Sequence, residues 1–186
     1  MTELEKCKNG EYYNCHDKVF LEFKSNARVL LKEYHSLTYD QKEEKTMILS
    51  RLFGRIGENV SVGQPFICDY GRNIYLGNNV SVNMNCTFVD CNKIEIGDHV
   101  LIASNVQLYT ATHPVELSQR LTPDWKPESE EYFCRTYALP IKIGVFFVII
   151  NYICLIFYTN TRPFLLQLHH LFWLTDFLLP KCCHTT

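Results

Sequence analysis

Apolar side chains recur every six residues through the middle of the chain, at positions 56, 62 and 68, then 76, 82 and 88, then 96, 102 and 108. A helical face repeats every three to four residues and a half-buried strand every two, so neither accounts for this spacing. Written in steps of twenty from Arg55, the chain reads RIGENVSVGQPFICDYGRNI, YLGNNVSVNMNCTFVDCNKI and EIGDHVLIASNVQLYTATHP. The aligned columns hold Ile56, Leu76 and Ile96; Gly57, Gly77 and Gly97; Val60, Val80 and Val100; and Val62, Val82 and Ile102. This pattern predicts a coil with three flat faces of about six residues each, returning above its start after roughly eighteen to twenty. One inward aliphatic per face would stack on the next coil. Gly and Asn would occupy the corners, where tight turns and positive φ are tolerated. The fold class is therefore an all-β solenoid, in which every coil rests on its neighbours.

Ahead of the repeat the periodicity is helical. Asp17 is placed to cap a helix through residues 18–37, with Val19, Phe23, Ala27, Leu30, Leu31 and Tyr34 on one side. Thr38 and Gln41 have capping-box spacing for a second helix, and Gly54 could end it in the left-handed conformation. Helices this short rarely persist alone, so residues 1–54 read as an amphipathic cap packed on the solenoid.

The third copy ends in TATHP, residues 110–114, and a polar and aromatic stretch with Pro123 and Pro127 follows before PIKIG opens a fourth copy at 140–144. The chain thus divides into a helical segment at 1–54, a solenoid at 55–144 carrying a loop at 114–138, and a third region at 145–186. A long loop without structure of its own inside a compact domain is usually functional. Within it, Trp125 and Tyr132 could stack on a ring or simply pack the loop.

The third region is a different kind of sequence. Its only charged residues are Arg162, Asp176 and Lys181. Phe147, Ile149, Ile153 and Leu155 fall in apolar columns, but their neighbours are apolar too and the Gly and Asn corners are gone. Two readings compete. A membrane anchor is one, yet the run 145–158 is shorter than the roughly twenty residues a bilayer core needs, and it contains Asn151. The run 164–179 contains Gln167, His169, His170 and Asp176, all costly in lipid. The other reading is a coding-level accident, a retained intron or frameshift that replaces the last coils; every valine codon begins with GT, and Val145 is where the pattern stops. An incomplete solenoid would leave unpaired backbone edges and exposed aromatics, so poor folding and weak activity are expected of such a chain.

Net charge is −2, which leaves no nucleic-acid footprint. The polar opening MTELEKCKNG shows no secretory signal, and nine cysteines without CxxC spacing suit a reduced, cytoplasmic setting. Cys182, Cys183 and His184 are too closely spaced to form a zinc site.

From the start to Gly144 the chain resembles the maltose and galactoside acetyltransferases, with the nodulation acetyltransferases, of the hexapeptide-repeat superfamily. NGEYYN, PFICDYGRNI, VNMNCTFVD, EIGDHVLIASNVQLYTATHPVE and LPIKIG carry the resemblance. It implies a left-handed parallel β-helix after an N-terminal helical segment. It also implies a homotrimer with active sites between subunits, and acetyl transfer from acetyl-CoA to a sugar hydroxyl without a metal. Neither nucleic acid nor a membrane is an implied partner.

A sugar hydroxyl needs a base as it attacks a thioester, and a histidine titrating near neutrality suits the task. His113 matches the family's catalytic histidine in TATHP. Asn83 matches its sugar-contacting asparagine, Asp69 a substrate-side position, and Asp90 lies near another. Each of these three could instead have a structural place, as asparagines that bond corner backbone do, and Asp90 more so than the other two. Galactoside-directed members carry a second acid after the last of these, where this chain has Cys91, so no particular sugar is implied. The acetyl-CoA contacts are not assigned. A γ-type carbonic anhydrase on the same solenoid would need three histidines, and the repeat offers only His99 and His113. A non-catalytic scaffold, or a membrane-associated remnant of the family, is the remaining alternative.

Overall fold

The computed structural model describes residues 1–122, 126 and 134–144, together with the backbone of 148–149, 158–159 and 162–163. Trp125, Tyr132 and nearly all of the apolar third region lie outside the described residues.

The twenty-residue repeat folds as three stacked parallel sheets. The first face carries β1 (Ser61–Val62), β4 (Ser81–Val82) and β7 (Leu101–Ile102). The second carries β2 (Phe66–Cys68), β5 (Cys86–Val89) and β8 (Gln107–Tyr109), and the third β3 (Ile74–Leu76), β6 (Ile94–Ile96) and β11 (Ile141–Ile143). The registers match the aligned columns: Val62 with Val82 with Ile102, and Leu76 with Ile96 with Ile143. A fourth strand on the first face, β12 (Val148–Ile149), pairs by its backbone with Leu101–Ile102. The register therefore runs past Gly144, where the sequence pattern stops.

Two details differ from the expectation. Five strands of the second and third faces, β2, β3, β5, β6 and β11, send in two side chains rather than one, because residues i and i+2 of a strand share a face. Phe66 with Cys68, Cys86 with Phe88, and Ile94 with Ile96 are all buried. Phe66 and Phe88 meet edge to face across successive coils, with centroids 5.1 Å apart. Burying such side chains contributes about 1.5–3 kcal/mol each. The second difference concerns the corners. Positive φ falls on Asn59, Asn79 and His99 in one column and on Asn85 and Asn105 in another. The glycine column serves close approach instead: a Cβ on Gly57 would lie 2.4 Å from the Gly77 carbonyl oxygen.

Of the three N-terminal helices, α2 (Lys18–His35) and α3 (Lys42–Leu52) cover the opening coil, while the first packs beside Cys91 and Asn92. α1 (Glu3–Lys8) was not legible as a helix, yet it carries the complete capping box, with Thr2 accepting from the Glu5 amide and Glu5 accepting from the Thr2 amide. α2 (Lys18–His35) starts as expected, with Asp17 accepting from the Val19 amide. It buries Phe20, Ala27, Leu31 and Tyr34, and the Tyr34 hydroxyl donates to the Val62 carbonyl at 2.5 Å. α3 (Lys42–Leu52) corrects two expectations. Gln41 does accept from the Thr38 amide, but Thr38 turns its hydroxyl to Asp40, so the reciprocal half of the box is missing. The helix ends on extended Phe53, and Gly54 is required because a Cβ there would sit 2.4 Å from the Arg72 carbonyl oxygen.

The close approach in the glycine column gives a test. A Cβ at Gly77 would lie 2.4 Å from Asp98 Oδ1 and 2.8 Å from the Gly97 carbonyl carbon, whereas at Gly97 the nearest atom is 3.0 Å away. Gly77→Ala is expected to cost about 2 kcal/mol or more, and Gly97→Ala distinctly less. Urea midpoints of the two variants measure the difference, and equal losses would contradict this packing.

Candidate active site beside the return strand

After β8 the chain leaves the coil through β9 (Ala111–Thr112) and comes back through β10 (Tyr137–Ala138), which pairs with it antiparallel, Tyr137 opposite Thr112. The short helix α4 (Leu117–Arg120) lies in the excursion, and Leu121 bridges Cys134. On its other side the return strand meets the N-terminal segment, where the Tyr13 amide donates to the Thr136 carbonyl at 3.1 Å. Residues 134–138 thus form the middle of a small antiparallel layer set against the solenoid corner.

His113 stands at the edge of this layer, half-buried. Its Nδ1 lies 2.9 Å from the Arg135 carbonyl oxygen and 3.3 Å from both Cys134 Sγ and Thr136 Oγ1. A carbonyl only accepts, so the proton resides on Nδ1 and Nε2 is left as the basic nitrogen. Pro114, buried just after it, fixes the backbone there.

The layer is anchored by residues that the repeat pattern did not single out. Asn92 is buried, and its Nδ2 donates to the carbonyls of Cys7 and Ala138, at 3.1 and 2.8 Å. Its amide donates to Thr110 Oγ1, which donates in turn to the Val89 carbonyl. One side chain therefore joins α1, the return strand and the coil corner. Its partners are 85 and 46 residues away, so no local signal could have found it.

The candidate acids divide. Asp90 is fully buried; its carboxylate accepts from the amides of Asp69, Tyr70 and Asn73 at 3.0, 2.8 and 3.2 Å. It holds the corner, and its lone pairs are turned to backbone rather than solvent. Asp69 is half-buried, accepts from Cys91 Sγ at 3.4 Å, and lines an open groove of about 710 Å³ with Arg28, Lys32 and His35. It lies at the corner between the second and third faces, two coils from Tyr109, after which the chain leaves the coil toward His113. Asn83 is exposed at a different corner, between the first and second faces. Its Oδ1 accepts from the Met84 amide at 2.7 Å, and it lines a groove of about 580 Å³ with Tyr34, Tyr39, Lys45 and Gln64. A single chain does not bring Asn83 to His113.

His99, the other repeat histidine, sits at the remaining corner with φ 59°. Among the described residues no group of three or more His, Cys, Asp or Glu is placed to hold a metal ion. Nor, among them, is any helix long and apolar enough to cross a membrane.

Stacked parallel coils with a histidine at the root of a corner excursion define the class as the hexapeptide-repeat acyltransferases. Residues 6–57 match the maltose acetyltransferase hexapeptide capping motif. The crystal structure of a maltose O-acetyltransferase from Clostridium difficile superposes with a TM-score of 0.69 at 37% identity, over 78% of this chain and 72% of that one. A hexapeptide-repeat acetyltransferase from Vibrio cholerae, complexed with acetyl coenzyme A, gives 0.62 at 33% identity, over 77% and 72%. The galactoside O-acetyltransferase of Lactococcus lactis is 32% identical over 74% of this chain, which spans 65% of that protein's length. The chain belongs to the maltose and galactoside O-acetyltransferase family.

The electrostatics of Asp90 give a prediction. Burial pushes its carboxyl up to about 6 from 3.8, against the amide donors that pull it down. The folded state therefore holds the Asp90 proton more tightly than the unfolded chain does. The favourable contribution is complete below about pH 4 and is lost as pH rises through about 6. The urea midpoint of the wild type relative to that of Asp90→Asn should rise as pH falls from 7 to 4. A flat or falling difference would show that the amides outweigh burial.

Proposed function

We propose that the chain is an O-acetyltransferase moving acetyl from acetyl-CoA to a sugar hydroxyl, with His113 as general base. The observation that carries this is the hydrogen bond from His113 Nδ1 to the Arg135 carbonyl, which orients the ring and leaves Nε2 to accept a proton. In the reaction, Nε2 takes the hydroxyl proton as that oxygen bonds to the acetyl carbon. The carbon–sulfur bond breaks, and the imidazolium returns the proton to the departing thiolate. No enzyme nucleophile is needed. The acetyl coenzyme A bound to the Vibrio relative and the sugar acceptors in the names of the others support this choice of donor and acceptor class.

The working form in this reading is a cytoplasmic homotrimer of left-handed parallel β-helices. Asn83 and His113 occupy different edges of the prism, so they meet only if one subunit's first corner faces its neighbour's second. Asn83, with Asp69, then contacts the sugar hydroxyls, while Asp90 keeps its structural place.

His113→Ala should lower the rate of thiol release from acetyl-CoA, measured with a panel of sugars, by about 10²–10⁴-fold. Light scattering should give the same oligomer as the wild type. Turnover indifferent to the substitution would remove His113 from the chemistry and leave the scaffold reading.

A further inference from the structure

We propose that Cys15 and Cys134 form a thiol–disulfide site that can staple the N-terminal segment to the strand holding His113. The argument is one of proximity. Tyr13 and Thr136 are an antiparallel pair. Two residues on, the chain turns at Cys15, whose thiol interacts with the Thr136 hydroxyl and with Cys134. Burial agrees: Tyr13, Cys134 and Thr136 are buried and Cys15 is half-exposed. Cys134 Sγ reaches to 3.3 Å from His113 Nδ1. A bond made here acts on the strand whose Arg135 carbonyl orients the imidazole.

The other described thiols are less suited. Cys7 donates to the Cys91 carbonyl at 3.3 Å, is buried, and burial pushes it up to about 11. Burial raises Cys91 and Cys68 as well, and Cys86 is buried in the solenoid core. Cys15 is the one of the six that is not buried. Burial raises its thiol too, while the Lys24 charge and the Thr136 hydroxyl pull it back.

The co-reactant is a low-molecular-weight disulfide such as oxidised glutathione. The Cys15 thiolate attacks one of its sulfurs, releasing one glutathione thiolate and forming a mixed disulfide. The Cys134 thiolate then attacks the Cys15 sulfur and releases the second. Two protein thiols are oxidised and one glutathione disulfide is reduced to two thiols. Because the thiolate is the nucleophile, the reaction should quicken as pH rises from 7 to 9.

The full chain, incubated with oxidised glutathione, should yield a peptide pair joined through Cys15 and Cys134 on mass mapping, reversed by dithiothreitol. Its thermal midpoint should rise by several degrees, because the bond closes a long loop in the unfolded chain. Cys15→Ser and Cys134→Ser should each abolish both effects. Cys15 joined instead to Cys7, or Cys15 carrying glutathione with Cys134 left as a free thiol, would overturn the proposal. Neither outcome bears on the acetyl-transfer reading, which the His113 variant tests separately.

Discussion

Everything in this fold depends on hydrogen bonds between backbones one coil apart. The Ser61 amide donates to Val80, the Ser81 amide to Val100, the Gly77 amide to Ile96 and the Thr87 amide to Val106. A buried peptide group needs a partner, and here the partner belongs to the adjoining coil rather than to an adjacent hairpin. That requirement fixes what each column may contain. Where coil backbones nearly touch, only glycine fits, as at Gly57 and Gly77. Where the chain turns with positive φ, asparagine both tolerates the turn and bonds its equivalent above, Asn59 to Asn79 and Asn85 to Asn105.

The candidate site arises where this rule is suspended and then restored. Successive third-face strands are separated by twenty residues from Ile74 to Ile94 but by forty-seven from Ile94 to Ile141, though the register is kept. The extra residues leave and rejoin at one corner, so their two ends are held by the same coils. The return strand is then gripped on both sides, by β9 and by the segment at Tyr13, with Asn92 bonding across the junction. A histidine placed there inherits the stiffness of the solenoid.

The solenoid was legible because its information is local: six-residue spacing and a twenty-residue column survive in any one stretch of chain. His113 was legible only through a motif, since nothing in a lone loop histidine announces that Arg135 will orient it. Asp90 shows the opposite failure. Its column also holds Tyr70 and Thr110, and all three are buried, so matching that column would have placed the carboxylate inside the corner rather than on a substrate. Attention to apolar columns alone hid it. The helix ends misled for a related reason. Thr38 had a nearer partner in Asp40, and Gly54 answers to Arg72, a neighbour that only the folded coil supplies.

The partner chosen for the imidazole also bears on the chemistry. A carboxylate on Nδ1 would stabilise the imidazolium and hold it there. The Arg135 carbonyl fixes the same ring orientation with a dipole instead of a charge, and the neighbouring Cys134 and Thr136 add no formal charge as neutral groups. A base that must accept a proton from one substrate and surrender it to the thiolate leaving the other gains from being oriented without being trapped in its charged form. In the proposed reaction the neutral partner matches that two-way proton traffic. It also explains why the strand bearing the carbonyl, rather than a second titratable side chain, is what the surrounding structure takes most care to hold still.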